Sequence, residues 1–599
     1  MPDLDSATYA SHLEGWARRQ PAAPALSAPG HRSMTFSEVS ARAVALRGAL
    51  AAWDIGRGDV VAWPVADRLE SAAALAMVPA CATLLPLPAS LTVDAYARVL
   101  ARTRAKAVVA PARGGHPIAE AARRHGIAQI AMVPQPGESA GAFALELARE
   151  GPSLRQAPWI NPDVMYVSAT SGTTGHPKLV PHAWRALWAT ARAMGERLGF
   201  GPRDASAHLT TLHLANGLRT AAQLSLLHGG SVVVLPEGDL DAFLRAVEAG
   251  EVTYTSSTFA IHREVLKRLE GRAPVARGRL RFLRVGSGRL DPDEMDRLEA
   301  LFGVPVVTGL STSETGTVAQ QGLPPAPRVR GSVGTPVACE IRIADEHGAS
   351  LPCGGIGEIQ VRGPQVFGGY IDDPGLDAAA FVDGWFRSGD LGRFDEHGDL
   401  SVVGRLKETI NRGGEKIAPL EIDAVLNAMP GVAEAATFGV PHPTLGEEVV
   451  AAVIRAPAAT VDAGQLIAGV RAALGERRAP RRIWFVESLP RTGTGKVRRS
   501  ALPDWVASRD AAPAEETPAA RATPLEIAVA ALWAAMLRTG RVDVHEDFFM
   551  LGGDSLRGAK LLDQVRSAFG VELSVQSLFG DANTIAGMAR CIERARSAA

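Results

Sequence analysis

Cysteine is scarce. Four residues in 599 (Cys81, Cys339, Cys353 and Cys591) lie far apart. That spacing excludes a disulfide scaffold and a paired-cysteine metal knuckle, and it fits a chain with reduced thiols in a cytoplasmic compartment. A dominant charge is also lacking. Lysine plus arginine number 63 against 64 aspartate plus glutamate, for a net charge of −1. Bulk electrostatics therefore draw the chain to neither nucleic acid nor an anionic membrane. No uninterrupted apolar run is long enough to span a bilayer. The stretch from Met1 to Glu14 is polar and acidic, without the apolar core of a secretion signal. What remains is globular composition, 46% apolar and 21% charged. At this length several domains are expected.

From about Met34 to Ala260 short apolar runs alternate with helical patterns. Ala107–Ala110 and Ser231–Leu235 read as buried strands, and Ala41–Trp53 and Asp241–Glu248 as helices. Such alternation predicts α/β layers. Between Gly331 and Gly363 the texture turns to short strands broken by Gly and Pro, which predicts a β-rich subdomain. Gly404-Arg405 opens a further unit, with a helix over Pro419–Met429 and strands over Val449–Ile454 and Ile483–Val486. Asp504–Ala522, rich in Ala, Pro and Glu, reads as a flexible linker. After it Thr523-Pro524-Leu525-Glu526 forms a capping box with Pro at the first helical position. The apolar stripe Ile527, Ala530, Ala531, Met536 and Leu537 follows. A second helix is expected from Ser555, burying Leu561, Leu562, Val565 and Phe569 and stopping at Gly570. A third, from Thr584, buries Ile585, Met588 and Ile592.

Two motifs stand out. Thr170-Ser171-Gly172-Thr173-Thr174-Gly175-His176-Pro177-Lys178 follows the strand-like Val164–Val167. Its glycines let the backbone close round an anion, its N–H groups and hydroxyls can bind phosphate oxygens, and Lys178 adds a positive charge. The Gly-Lys-Ser/Thr of a Walker loop is absent. Taken alone, such a run is as readily a surface turn. Near the C-terminus stands Gly552-Gly553-Asp554-Ser555-Leu556. As a bare tetrapeptide, Gly-Gly-Asp-Ser reads as a helix cap. At a helix start, however, Ser555 would lie exposed near the positive end of the backbone dipole, which suits a phosphodiester.

Ser171–Lys178 resembles the phosphate loop of the acyl-adenylate-forming superfamily, which includes acyl-CoA synthetases, luciferases and the adenylation domains of nonribosomal peptide synthetases. Further family segments follow in order. Leu310-Ser311-Thr312-Ser313-Glu314-Thr315 resembles the Tyr-Gly-x-Thr-Glu segment, Trp385–Leu391 the ribose-binding segment, Gly404-Arg405-Leu406-Lys407 the interdomain hinge and Pro490–Lys496 the mobile lysine loop.

The resemblance implies ATP and Mg2+ as cofactors, with Thr170, Ser171, Gly172, Thr173, Thr174, Gly175 and Lys178 round the phosphates. It implies Glu314 on Mg2+, Ser313 on a phosphate or acyl-phosphate oxygen, and Gly286, Ser287 and Gly288 along the adenine. It also implies Asp390 on the ribose hydroxyls, Arg405 near ribose or phosphate, Lys407 as pivot and Lys496 at the reacting phosphate. Leu310-Ser311 replaces the common Tyr-Gly, so the stacking tyrosine is missing at that position. Gly552–Leu556 resembles the attachment site of acyl and peptidyl carrier domains, with 4′-phosphopantetheine on Ser555.

The domains implied are a large α/β adenylation domain with a β-rich subdomain (1–404) and a small mobile α+β domain (405–503). A linker (504–522) and an all-α, four-helix-type carrier domain (523–599) complete the chain. As a coil the linker reaches roughly 25 Å and fully extended at most about 70 Å.

Amino-acid-activating relatives carry an Asp that pairs with the substrate ammonium. In the matching segment, Thr211-Leu212-His213-Leu214-Ala215-Asn216-Gly217-Leu218, Leu214 falls at that place. A buried ammonium without a counter-charge is costly, so a small or medium aliphatic or aryl acid is expected. His213, Leu214 and Asn216 would line its pocket, and His213 would gate the site or contact the carboxylate. The expected activity is an acid–thiol ligase that loads its own carrier. An amino-acid-activating didomain, a CoA ligase whose carrier serves another enzyme, and a silent docking scaffold are the alternatives. Implied partners are a phosphopantetheinyl transferase and a separate acyl-accepting enzyme, with no nucleic acid and no membrane.

Overall fold

The computed structural model describes residues 8–65, 69–112, 115–170, 177–213, 216–236, 238–492, 495–510, 523–537, 544, 548, 551, 555–578 and 581–598. They fall into two compact units. One runs to Lys407 and includes Arg491–Lys496; the other holds Glu408–Pro490 and the chain from Val497 onward.

The large unit is built on three sheets. A seven-stranded sheet runs in the order Phe143–Arg149, Ala128–Pro134, Ala107–Pro111, Val60–Val65, Thr83–Pro88, Val164–Thr170, Lys178–Ala183. Its inner strands are parallel. Parallel strands are covered on both faces, so their sequences are apolar without alternation. Val60–Val65 shows this: Val61, Trp63 and Val65 enter one core cluster, Val60 and Ala62 another. A nine-stranded sheet includes Ser231–Val234, Ala205–His208, Tyr254–Thr258, Phe282–Gly286 and Val306–Thr312 as parallel neighbours. The largest core cluster takes residues from both sheets, among them Val61, Tyr166, Val232 and Phe282. The third sheet is antiparallel and joins Glu340–Ala344, Gly357–Arg362, Trp385–Phe394 and Leu400–Arg405, which is the β-rich subdomain the Gly/Pro texture predicts.

The helix expected over 41–53 runs instead from Phe36 to Ala51. Thr35 and Glu38 form a capping box ahead of the apolar periodicity, so the helix starts a turn earlier.

Lys106 is a buried cation in this unit. Its Nζ lies 3.3 Å from buried Asp59 and 3.5 Å from exposed Asp54. Asp59 Oδ2 also accepts the Gly56 N–H at 2.9 Å. Asp59→Asn leaves the ammonium with exposed Asp54 as its one carboxylate among the described residues. We expect it to cost the unit about 1–3 kcal/mol in urea unfolding. An unchanged midpoint would refute this.

In the second unit, Gly446–Arg455 pairs with Val432–His442, Ile410–Arg412 and Ile483–Phe485. Val449, Ala451 and Val453 pack against helices Pro419–Asn427 and Ala463–Leu474. Val450 and Ala452, on the opposite face, pack with Leu502 and Val506. These last belong to a helix over Leu502–Asp510, where the composition predicts linker from Asp504. Leu502 and Val506, one helical turn apart, dock that helix, with Trp505 packed beside them.

The carrier region has its own core. Helices cover Pro524–Leu537, Ser555–Phe569, Val575–Leu578 and Ile585–Ala598. Thr523 and Glu526 make the reciprocal capping bonds at 2.7 and 3.2 Å. Leu561, Leu562, Val565, Ile585, Met588 and Ile592 are buried as expected. The first helix corrects the expected stripe. It buries Val529, Trp533 and Leu537, while Ile527 is 60% exposed. That helix is apolar nearly all round, so periodicity cannot choose a face; the bulk of Trp533 does.

Candidate active site

A cavity of about 740 Å3 opens in the large unit. It lies at the carboxyl ends of parallel strands, where open α/β sheets bind ligands. Pro86–Pro88, Ser168–Ala169, Gly286 and Ser311–Thr312 all line it. Three cations, Arg219, Arg405 and Lys496, face one carboxylate, Glu314, in its wall. Such a balance suits an anionic ligand.

The phosphate-loop residues Ser171, Gly172, Thr173, Thr174 and Gly175 lie outside the described residues, as does Leu214. Thr170 ends one strand and pairs in register with Lys178, which opens the next. The Lys178 ammonium lies 4.8 Å from the centre of the Tyr370 ring. The Tyr370 hydroxyl donates to Glu314 Oε1 at 2.9 Å. Burial, then the Glu314 charge, raises this phenol above its ordinary range, so it stays a donor. Tyr370 thus links the loop lysine to the acid.

Ser313 and Glu314 sit in the turn after strand Val306–Thr312. The turn is held from three sides. Thr315 N–H donates to Thr312 Oγ1 at 3.2 Å, and Phe367 N–H donates to the Glu314 carbonyl at 2.9 Å. Arg219 donates to the carbonyls of Thr312 and Ser313 at 2.7 and 3.4 Å. Burial pulls the Arg219 guanidinium down to about 10, against the opposing pull of Glu314.

Gly286-Ser287-Gly288 turns out of strand Phe282–Gly286, with Ser287 at φ +61°. A Cβ at Gly288 would meet the Phe259 ring at 2.3 Å, so only glycine fits. Gly286 and Ser287 line the cavity. Asp390 faces Arg405 across antiparallel strands, with Arg405 Nε 2.9 Å from its carboxylate. Burial raises the Asp390 carboxyl, while Arg405 and Lys496 lower it. Lys496 closes a tight loop: the Thr492 N–H donates to its carbonyl at 2.8 Å, and Arg491 donates to the Gly495 carbonyl at 2.9 Å. Lys407 lies in the turn Leu406–Glu408, at the end of the large unit.

His213 lines the same cavity, and its buried Nδ1 has no hydrogen-bond partner among the described residues. Burial holds its imidazole down to about 4, so it is neutral near pH 7. Asn216 opens a π-helix running to Gln223, a form enriched at functional sites. Sequence reasoning missed Arg219, Gln223, Tyr370 and His182. His182 Nε2 is 2.8 Å from Ser168 Oγ, and burial keeps its imidazole well below the ordinary range. Arg219 alone left a trace: it is a lone charge in an otherwise apolar and neutral helix. Ser555 opens helix Ser555–Phe569 in the second unit.

A family model described as AMP-binding enzyme matches residues 13–371. The chain belongs to that family. The AMP-binding enzyme C-terminal domain matches 421–496, and a phosphopantetheine attachment site matches 528–592. An oxalate–CoA ligase of Arabidopsis thaliana is 32% identical, over 83% of this chain and 98% of its own length. A sulfoacetate–CoA ligase of Cupriavidus necator is 34% identical, over 83% and 97%. Among solved structures, ATP-bound MatB from Rhodopseudomonas palustris superposes with a TM-score of 0.74 at 28% identity, covering 83% of this chain and 98% of that one. This AMP-binding enzyme is therefore an adenylate-forming ligase that uses ATP and gives AMP. Its carrier region implies 4′-phosphopantetheine and a transferase to attach it. Among the described residues no helix is long and apolar enough to cross a membrane.

Proposed function

We propose that this AMP-binding enzyme activates a small carboxylic acid as its acyl-adenylate and transfers the acyl group to its own carrier at Ser555. What supports the reading is one observation. Ser313, Glu314, Arg405, Lys496, Gly286, Ser287 and His213, which the family resemblance assigns to one reaction, line one cavity in a chain that also bears a carrier region.

A carboxylate is a poor electrophile because its leaving group would be oxide. A carboxylate oxygen attacks the α-phosphorus of ATP, and the bond to pyrophosphate breaks. Negative charge gathers at the α-phosphate, where Lys496 and Arg405 stabilise it. Among the described residues no cluster of three metal-type ligands exists. Glu314 would hold Mg2+, which would offset the phosphate charge when bound. Neutral His213 offers a hydrogen bond to the acid. Asp390 accepts from the ribose hydroxyls. Ser555 would hold the phosphopantetheine arm, whose thiol would supply the acyl acceptor as AMP leaves. In the second unit Gly413 and Gly414, at φ +59° and +87°, make the tight hairpin turn between Ile410–Arg412 and Glu415–Ile417. We assign to that turn the face met by the incoming thiol, with Lys407 as pivot.

Tyr370 orients the Glu314 carboxylate. Tyr370→Phe is expected to raise the Mg2+ concentration for half-maximal rate about tenfold. A Mg2+ titration at saturating ATP and acid checks this, and an unchanged midpoint sinks the role.

The relatives' printed names favour a second acceptor, coenzyme A. Acid-dependent ATP–pyrophosphate exchange over a panel of acids tests activation. Intact mass after treatment with a phosphopantetheinyl transferase, ATP and acid tests loading. Acyl-CoA formed while the carrier stays unloaded would replace our reading with the second one.

A further inference from the structure

Beyond the reacting centre, the cavity holds an unusual combination. Leu187, Ala191, Met194, Leu224 and Leu227 give it apolar walls. Into this lining the π-helix Asn216–Gln223 brings Arg219 and Gln223, four residues apart and therefore on one face. Gln223 is 3% exposed, and its amide nitrogen has no hydrogen-bond partner among the described residues. Thr211 Oγ1, also in the lining, is likewise buried and unpartnered.

Arg219 spends two N–H groups on the Thr312 and Ser313 carbonyls. A guanidinium carries five. Glu314 is the one carboxylate among the described residues of the wall, and the proposed function commits it to the metal. A half-buried guanidinium and a buried amide donor with no partner among the described residues are both costly unless something meets them. A purely aliphatic acid offers nothing beyond its reacting carboxylate, which His213 and the adenylation machinery already claim.

We propose that Arg219 and Gln223 recognise a second anionic group on the acid, so that the enzyme selects a short dicarboxylic or sulfo acid over the matching monoacid. This rests on the acyl-activating reading above. The guanidinium takes the second anion, and the Gln223 amide donates to one of its oxygens. The apolar wall limits the length and bulk of what lies between the two acidic groups. A monoacid of equal length leaves both donors unpaired, and sites built to bind a polar group reject analogues that lack it.

The test is ATP–pyrophosphate exchange by the full chain with matched pairs: oxalate and acetate, malonate and propionate, succinate and butyrate. At least one diacid is expected to exceed its partner by tenfold or more in kcat/KM. Arg219→Met should lower both members of the pair, and lower the diacid-to-monoacid ratio at least thirtyfold. Gln223→Leu should lower that ratio at least threefold. Independently of any variant, the preferred diacid with AMP should raise the melting temperature of the wild-type protein more than its monoacid does.

A wild-type preference for monoacids across all pairs overturns the inference and leaves the acyl-activating reading standing. Equal losses for both acids in Arg219→Met also overturn it, and make Arg219 only a clamp on the Ser313–Glu314 turn. No exchange with any acid brings down the acyl-activating reading and the inference with it.

Discussion

Ser555→Ala is expected to leave the carrier unloaded under every condition that loads the wild type. Wild-type protein should gain the mass of the phosphopantetheine arm, and then of the acyl group, in intact-mass spectra. The variant should gain neither. The reason is covalent: without the hydroxyl no phosphodiester can form. The fold should survive, because the carrier core is made by Val529, Trp533, Leu561, Val565, Ile585 and Met588. Alanine is a good helix residue, and loss of a serine at a helix start costs about 0.5–2 kcal/mol. Acid-dependent exchange should continue, since the AMP-binding matches end at residue 496 and our reading assigns adenylation to residues ahead of the carrier region. Acyl transfer to the Ser555→Ala protein would end the self-loading reading.

Lys496→Ala is expected to slow adenylation by about 10²–10³-fold, the typical loss on removing one preorganised donor to a developing charge. Lys496 lies in the cavity wall, and its charge is felt at Asp390. Its side chain is exposed and contributes nothing to a core, so melting should not change. Thioester formation from supplied acyl-adenylate should be slowed less, because the thiol attacks the acyl carbon and AMP is already a good leaving group. Lys496→Arg should recover only part of the rate, since a planar guanidinium does not reproduce a compact ammonium. Exchange within threefold of wild type in Lys496→Ala would remove this residue from the reaction.

The architecture was legible wherever one segment carries its own reason. Ala107–Ala110 and Val449–Val453 are apolar at every position because both faces are covered. Thr523 and Glu526 announce their helix by their spacing. The ordered motifs were legible for the same reason, and Ser313, Glu314, Arg405 and Lys496 from three of them line one cavity. What the sequence hid are contacts between distant segments. Tyr370 meets Glu314 across 56 residues, and Arg219 meets Thr312 across 93. Neither partner bears a local sign of the other. The buried face of Pro524–Leu537 was hidden by an excess of signal, because almost every position is apolar. Helix Leu502–Asp510 was hidden by its neighbour, because it runs without a break in composition into the Ala-, Pro- and Glu-rich stretch that reads as linker.

The lysine loop carries a consequence for the entropy of catalysis. The Arg498 N–H donates to the Pro490 carbonyl at 2.8 Å. That bond staples the base of the excursion on which Lys496 rides. A side chain on an open arm would have to search for its phosphate at each turnover. One on a short stapled loop has already given up that freedom during folding.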